Sequence, residues 1–144
     1  MLIGEYLHTV DEKNRVSLPI KFRKEMGQSV VIAPGLDSCL FVFAPNEWQA
    51  FSEKLALASV GQADTRSFNR YMLGGAHEVE VDASGRILIP DILKVKAGLG
   101  KTIAVVGVQS RVELWDSATW NTYKKGVEEQ ADQLAEKLGN VGVL

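Results

Sequence analysis

Residues 11–27 read DEKNRVSLPIKFRKEMG, and residues 82–98 read DASGRILIPDILKVKAG. At a shift of 71 (82 minus 11), Asp11/Asp82, Arg15/Arg86, Pro19/Pro90 and Gly27/Gly98 coincide, while Val16/Ile87, Leu18/Ile89, Phe22/Leu93 and Arg23/Lys94 are alike. With one residue inserted the register resumes at 72, pairing Val42 with Leu114, Phe43 with Trp115, Trp48 with Trp120, Phe51 with Tyr123 and Leu55 with Val127. Twice 71 is 142, so a duplication accounts for nearly all of the 144 residues. A stacked solenoid needs about three repeats or more; two copies predict a pseudo-twofold pair. A repeat of this length builds only a thin core by itself, so the two copies are expected to share one.

Each copy predicts the same elements. His77 to Asp82 alternates apolar and polar residues as a half-buried strand does, and Tyr6 to Asp11 is its less regular counterpart. Glu12-Lys13-Asn14 and Ala83-Ser84-Gly85 are the following turns, with Asn14 and Gly85, the residues most tolerant of positive φ, at the same place. Strands Arg15 to Leu18 and Arg86 to Ile89 come next. Pro19 and Pro90 suit the start of a short helix, and Gly27 and Gly98 its end. An apolar hairpin follows, broken at Pro34 to Ser38 in one copy and at Gly107 to Ser110 in the other. A longer helix closes each copy. Trp48, Phe51, Leu55 and Ala58 form the stripe of the first; Trp120, Tyr123, Val127, Ala131, Leu134 and Leu138 continue one face of the second, expected to pack on its own chain. The predicted organisation is α+β: a first repeat over 1–64, a linking helix within 65–76 and a second repeat over 77–144.

Composition limits the functional classes. Hydrophobic residues make up 46% and charged residues 24%, as in folded globular proteins, and no apolar run approaches the roughly 20 residues of a membrane span. No basic segment leads into an apolar core at the N-terminus, so no signal peptide is expected. The single cysteine, Cys39, has no partner for an internal disulfide and no basic neighbour to activate it. Gly100-Lys101-Thr102 has the ending of a phosphate-binding loop but lacks the earlier glycine, since Val95 stands there. His8 and His77 are solitary, outside any metal-ligand spacing. No nucleophile, acid–base pair or cofactor motif points to an enzyme, and neither a metal nor a cofactor is expected.

What remains is the repeated Asp-x-x-x-Arg. The net charge of −2 argues against coating nucleic acid by bulk charge, yet the charge is segregated. Residues 11–24 carry Lys13, Arg15, Lys21, Arg23 and Lys24 against Asp11 and Glu12, a net +3, whereas residues 113–144 are net −3. A local basic face can bind phosphates on an acidic protein. An arginine at a hairpin turn can also present its planar fork to guanine O6 and N7. On this reading Arg15 and Arg86 contact bases, with Lys13, Asn14, Ser84 and Gly85 on the turns beside them. Lys13, Lys21, Arg23 and Lys24 contact phosphates that set register or form a solvated face. Ser84-Gly85 reads as small and nearly bare, allowing closer approach of the chain's backbone to DNA. The plain structural alternative has Asp11 and Asp82 pairing with the arginines to hold each turn.

The start MLIGEYLHTVDEKNRVSLPIKFR, the second copy HEVEVDASGRILIP and the aromatic-led helices after each hairpin resemble the MraZ family of bacterial transcriptional regulators, with two SpoVT-AbrB type domains. The resemblance implies a swapped-hairpin β-fold and assembly into a ring-like homo-oligomer. It also implies binding to double-stranded DNA at repeated promoter boxes upstream of a division and cell-wall gene cluster, in the cytoplasm at the nucleoid. The family's DNA-facing arginines correspond to Arg15 and Arg86, and Asp11 and Asp82 match its acidic positions, expected to support the motif. A second class kept open is a protein-interaction module of the same fold, as in antitoxins, with the C-terminal stripe as partner surface.

Overall fold

A computed structural model describes residues 1–144. The order is β1 (Leu2–Thr9), β2 (Arg15–Ser17), α1 (Ile20–Met26), β3 (Ser29–Pro34), β4 (Leu40–Phe43), α2 (Pro45–Ala56), α3 (Ala63–Met72), β5 (His77–Glu80), β6 (Arg86–Leu88), α4 (Asp91–Lys96), β7 (Thr102–Gln109), β8 (Val112–Asp116), α5 (Ser117–Glu129) and α6 (Ala131–Asn140). The fold is mixed α+β and every strand pair is antiparallel.

The duplication becomes a symmetry of the sheets. Six strands run β1-β7-β8-β4-β3-β5, and β2 pairs with β6 in a separate ribbon. Exchanging the two repeats turns this order into itself read backwards. Each repeat gives its first strand to the other: β1 pairs with β7 from Leu2↔Gln109 to Thr9↔Thr102, and β5 pairs with β3 from Ser29↔Glu80 to Ile32↔His77. The pseudo-axis passes through Val16↔Ile87 in the ribbon and Phe41↔Glu113 in the large sheet. This is the swapped-hairpin architecture.

Alternation along the central strands explains the layers, because neighbouring side chains point to opposite faces of the sheet. Val30, Ile32, Val42, Val105 and Leu114 face one side, where the β2–β6 ribbon and the short helices contribute Val16, Leu18, Phe22, Met26, Ile87, Ile89 and Leu93. Both repeats build this core. Ala33, Phe41, Phe43, Ala104, Val106 and Trp115 face the other side and meet Trp48, Phe51 and Leu55 of α2, Phe68, Tyr71 and Met72 of α3, and Trp120 of α5. Pro19 and Pro90 cap α1 and α4 at their N-termini, and Gly27 and Gly98 sit beyond them at φ 86° and 61°, as the sequence predicts.

Three expectations are corrected. The hairpin of the second repeat does not break at Gly107. That glycine lies inside β7 opposite Gly4, where a Cβ would meet the Leu2 and Ile3 backbone and the Phe22 ring, so its small size serves close strand packing rather than a turn. The repeat register also shifts twice: β3 and β7 align at 73 (103 minus 30), through two residues added between Gly98 and Thr102, before a shorter turn restores 72 at β4 and β8. The closing helix of the second repeat is interrupted at Gln130. Beyond that point Leu134 and Leu138 are 38% and 42% exposed, so the stripe expected to pack on its own chain is open to solvent.

Candidate nucleic-acid interface

The two Asp-x-x-x-Arg segments fold into the same loop. Asp11 Oδ1 accepts hydrogen bonds from the backbone N–H groups of Lys13 and Arg15, both at 2.9 Å, and its Oδ2 accepts from Arg15 Nε at 2.8 Å. Asp82 repeats this with Ser84 N–H, Arg86 N–H and Arg86 Nε, each at 2.9 Å. Backbone bonds from Asn14 to the Asp11 carbonyl and from Gly85 to the Asp82 carbonyl close the turns, with Asn14 at φ 61° and Gly85 at φ 78°. The spacing is thereby explained. A carboxylate four residues ahead can cap the turn's backbone donors and hold the arginine side chain at once. Both carboxyls lie below the usual aspartate range, chiefly through the backbone N–H of the arginine.

The ribbon brings the loops together. Arg15 pairs with Leu88 and Ser17 with Arg86, so the arginines stand two residues apart on adjacent strands. Val16 and Ile87 point into the core, leaving Arg15, Ser17, Arg86 and Leu88 on the opposite face of the ribbon. Arg86 Nη1 is also 4.0 Å from Asp11 Oδ2, which links the two motifs across the pseudo-axis. Each guanidinium is anchored through Nε, and its Nη end makes no closer intramolecular bond. An arginine held this way keeps a pair of donors facing out and gives up little rotamer freedom on meeting an acceptor.

The remaining predicted residues divide. Lys13 and Ser84 are exposed on the turns, and Lys21 and Lys24 are exposed on α1 without an ion-pair partner. Arg23 does not belong to a solvated face: its Nε donates to the Leu18 carbonyl at 2.7 Å, and its guanidinium covers the place a Gly85 Cβ would occupy. Gly85 is consequently buried, which corrects its reading as a bare turn. Asn14 is also engaged, accepting from Lys94 Nζ at 2.8 Å and donating to Asp91. His8 lies beneath the ribbon, with Nδ1 2.6 Å from the Ser17 carbonyl. Sequence reasoning missed Leu88, which is 53% exposed beside Arg15. Its signal was available, since alternation from a solvent-facing Arg86 returns to the same face two residues later.

These features define a tandem-repeat protein of swapped β-hairpins whose paired arginine loops meet on an internal pseudo-twofold axis. The chain belongs to the MraZ family: the family model, described as antitoxin-like, matches it twice, over residues 1–71 and 72–140. It is 43% identical over 143 residues to the transcriptional regulator MraZ of Caldanaerobacter subterraneus subsp. tengcongensis, covering 99% of this chain and 100% of that protein. The same identity and coverage hold for the transcriptional regulator MraZ of Acetivibrio thermocellus. The corresponding protein of Carboxydothermus hydrogenoformans is 42% identical over 138 residues, 96% of each chain. No helix is long and apolar enough to cross a membrane.

Proposed function

We propose that this protein is a sequence-specific DNA-binding transcriptional regulator that acts as a homo-oligomer on repeated boxes of a promoter controlling division and cell-wall genes. The observation that carries the reading is the pair of identically built loops holding Arg15 and Arg86 side by side, each bound through Nε with no hydrogen bond at its Nη donors, the Nη1 of Arg86 lying 4.0 Å from Asp11. A two-stranded ribbon fits the width of a major groove, and a bidentate arginine–guanine contact discriminates by about 1–3 kcal/mol. Lys13, Lys21 and Lys24 supply phosphate contacts that set register, Asn14 and Ser84 stand on the reading loops, and Leu88 offers an apolar contact for a thymine methyl. The repeats 1–64 and 77–144, joined through 65–76, act as the two reading halves. The regulator's place of action on this reading is the cytoplasm, at the nucleoid.

Selection of bound fragments from random double-stranded DNA by the purified protein tests it. An enriched short box, bound more tightly when repeated and more weakly as salt rises, supports the reading. Recovery of no enriched box overturns it. The exposed stripe on α6 and the family's antitoxin-like description favour a second reading, a module that docks a partner protein. A small protein that co-purifies with the full chain and is lost on changing Leu134 and Leu138 to serine would identify that activity.

A further inference from the structure

Arg23 and Lys94 occupy equivalent places on α1 and α4, and each reaches the arginine loop of the other repeat. Arg23 lies over Gly85 while its Nε is tied to the Leu18 carbonyl, and the Leu18 N–H donates to the Gly85 carbonyl at 2.9 Å. Lys94 donates to the Asn14 side chain, and the Ile89 N–H donates to the Asn14 carbonyl at 2.8 Å. Asn14 and Gly85 themselves occupy equivalent turn positions.

We infer that Arg23 and Lys94 are positioning residues: each clamps the opposite repeat's loop, through a pairing of arginine with glycine in one case and of lysine with asparagine in the other. The pairing follows from size and hydrogen bonding. The broad planar guanidinium sits over an unsubstituted Cα, and a side chain at Gly85 would displace it from its place beside the Leu18 carbonyl. A compact ammonium on a slender stem leaves room for an asparagine and donates to its side-chain carbonyl. The unequal turns are therefore two solutions to one problem, and each loop's order depends on the helix of the other half. The inference rests on the DNA-reading role in one respect only: the clamped loops carry the arginines assigned to that role.

Amide hydrogen exchange on the full chain reads the clamp without DNA. Arg23→Ala is expected to speed exchange at Leu18, Gly85 and Arg86 by about tenfold or more, with Val105 in β7 unchanged. Lys94→Ala should do the same at Asn14, Arg15 and Ile89. Gly85→Asn alone, which changes no charge, should loosen the second loop, and adding Arg23→Lys should restore it in part, rebuilding the lysine–asparagine bond of the first loop but with Ile20 standing at the place of Asp91, which accepts from Asn14. Unchanged exchange at Arg86 in Arg23→Ala, or a double variant as loose as Gly85→Asn, overturns the inference. The affinity of these variants for a selected DNA box should follow the same order; a phosphate-contact role for Arg23 gives no reason for Arg23→Lys to rescue Gly85→Asn. If the wild-type chain selects no DNA, the DNA reading fails, and the exchange data still decide the clamp.

Discussion

Asp11 and Asp82 each spend one carboxylate oxygen on two backbone donors and the other on an arginine, and this division of labour sets how the loops respond to acid. Both pKa values are lower in the folded chain than in the unfolded one. Their contribution is thus fully present above the ordinary aspartate value of about 3.9 and is lost as pH falls through the depressed folded values. Backbone NMR shifts at Arg15 and Arg86 should stay constant from neutral pH down to that value and move together below it; a transition near neutrality would refute the assignment. Arg15→Ala and Arg86→Ala should each weaken DNA binding by about 1–3 kcal/mol per site and relax preference at one or two guanines. The melting temperature should move little, because both side chains are partly exposed and the aspartates keep their backbone donors. Lysine at either position should recover some affinity and less of the preference, lacking the fork. Cys39 contrasts with these groups. Burial pushes its thiol up to about 12, so alkylating reagents at pH 8 should leave it untouched in the native chain and modify it after unfolding.

At the scale of elements, the tight approach of β1 to β7 at Gly107 is a point of weakness for substitution. Gly107→Ala forces a methyl against the Leu2 and Ile3 backbone and should cost about 1–3 kcal/mol, read as a lower denaturant midpoint. Met72, fully buried at the end of α3, should cost about 2–5 kcal/mol when cut to alanine. Local elements were legible where chain chemistry dictates them: the Asx-type turns at Asp11 and Asp82, the Pro-to-Gly bounds of α1 and α4, and the Trp48–Phe51–Leu55 stripe that packs on Phe43. The strand exchange could not be read from spacing, because the alternation of His77–Glu80 would serve as a partner for β3 or for β7 alike; it came from the family resemblance. Gln130 carried no warning of a helix break, having neither Pro nor Gly beside it. The arginine loops were visible as a motif, but the reach of Arg23 and Lys94 across the axis depends on pairings more than 60 residues apart (85 minus 23 is 62).

Across the whole molecule, apolar surface is left unpaired at its periphery. β1 is an edge strand exposing Ile3 and Leu7, and α6 exposes Leu134 and Leu138, followed by Val141, Val143 and Leu144. Such edges are ordinarily covered by neighbours. Light scattering at micromolar concentration should therefore show an assembly rather than a 15.8 kDa species. Removing residues 131–144 should leave the melting temperature nearly unchanged, since no side chain of α6 is buried, while shifting the assembly to smaller sizes. An unaltered assembly would place the subunit contacts elsewhere. The exchange of first strands also governs how the protein is born. Leu2 waits for Gln109, 107 positions later, before its strand has a partner, so a ribosome must release most of the chain before the first repeat can close. A nascent chain halted after residue 64 has β3 without β5 and β1 without β7, and should remain protease-sensitive until the second repeat emerges.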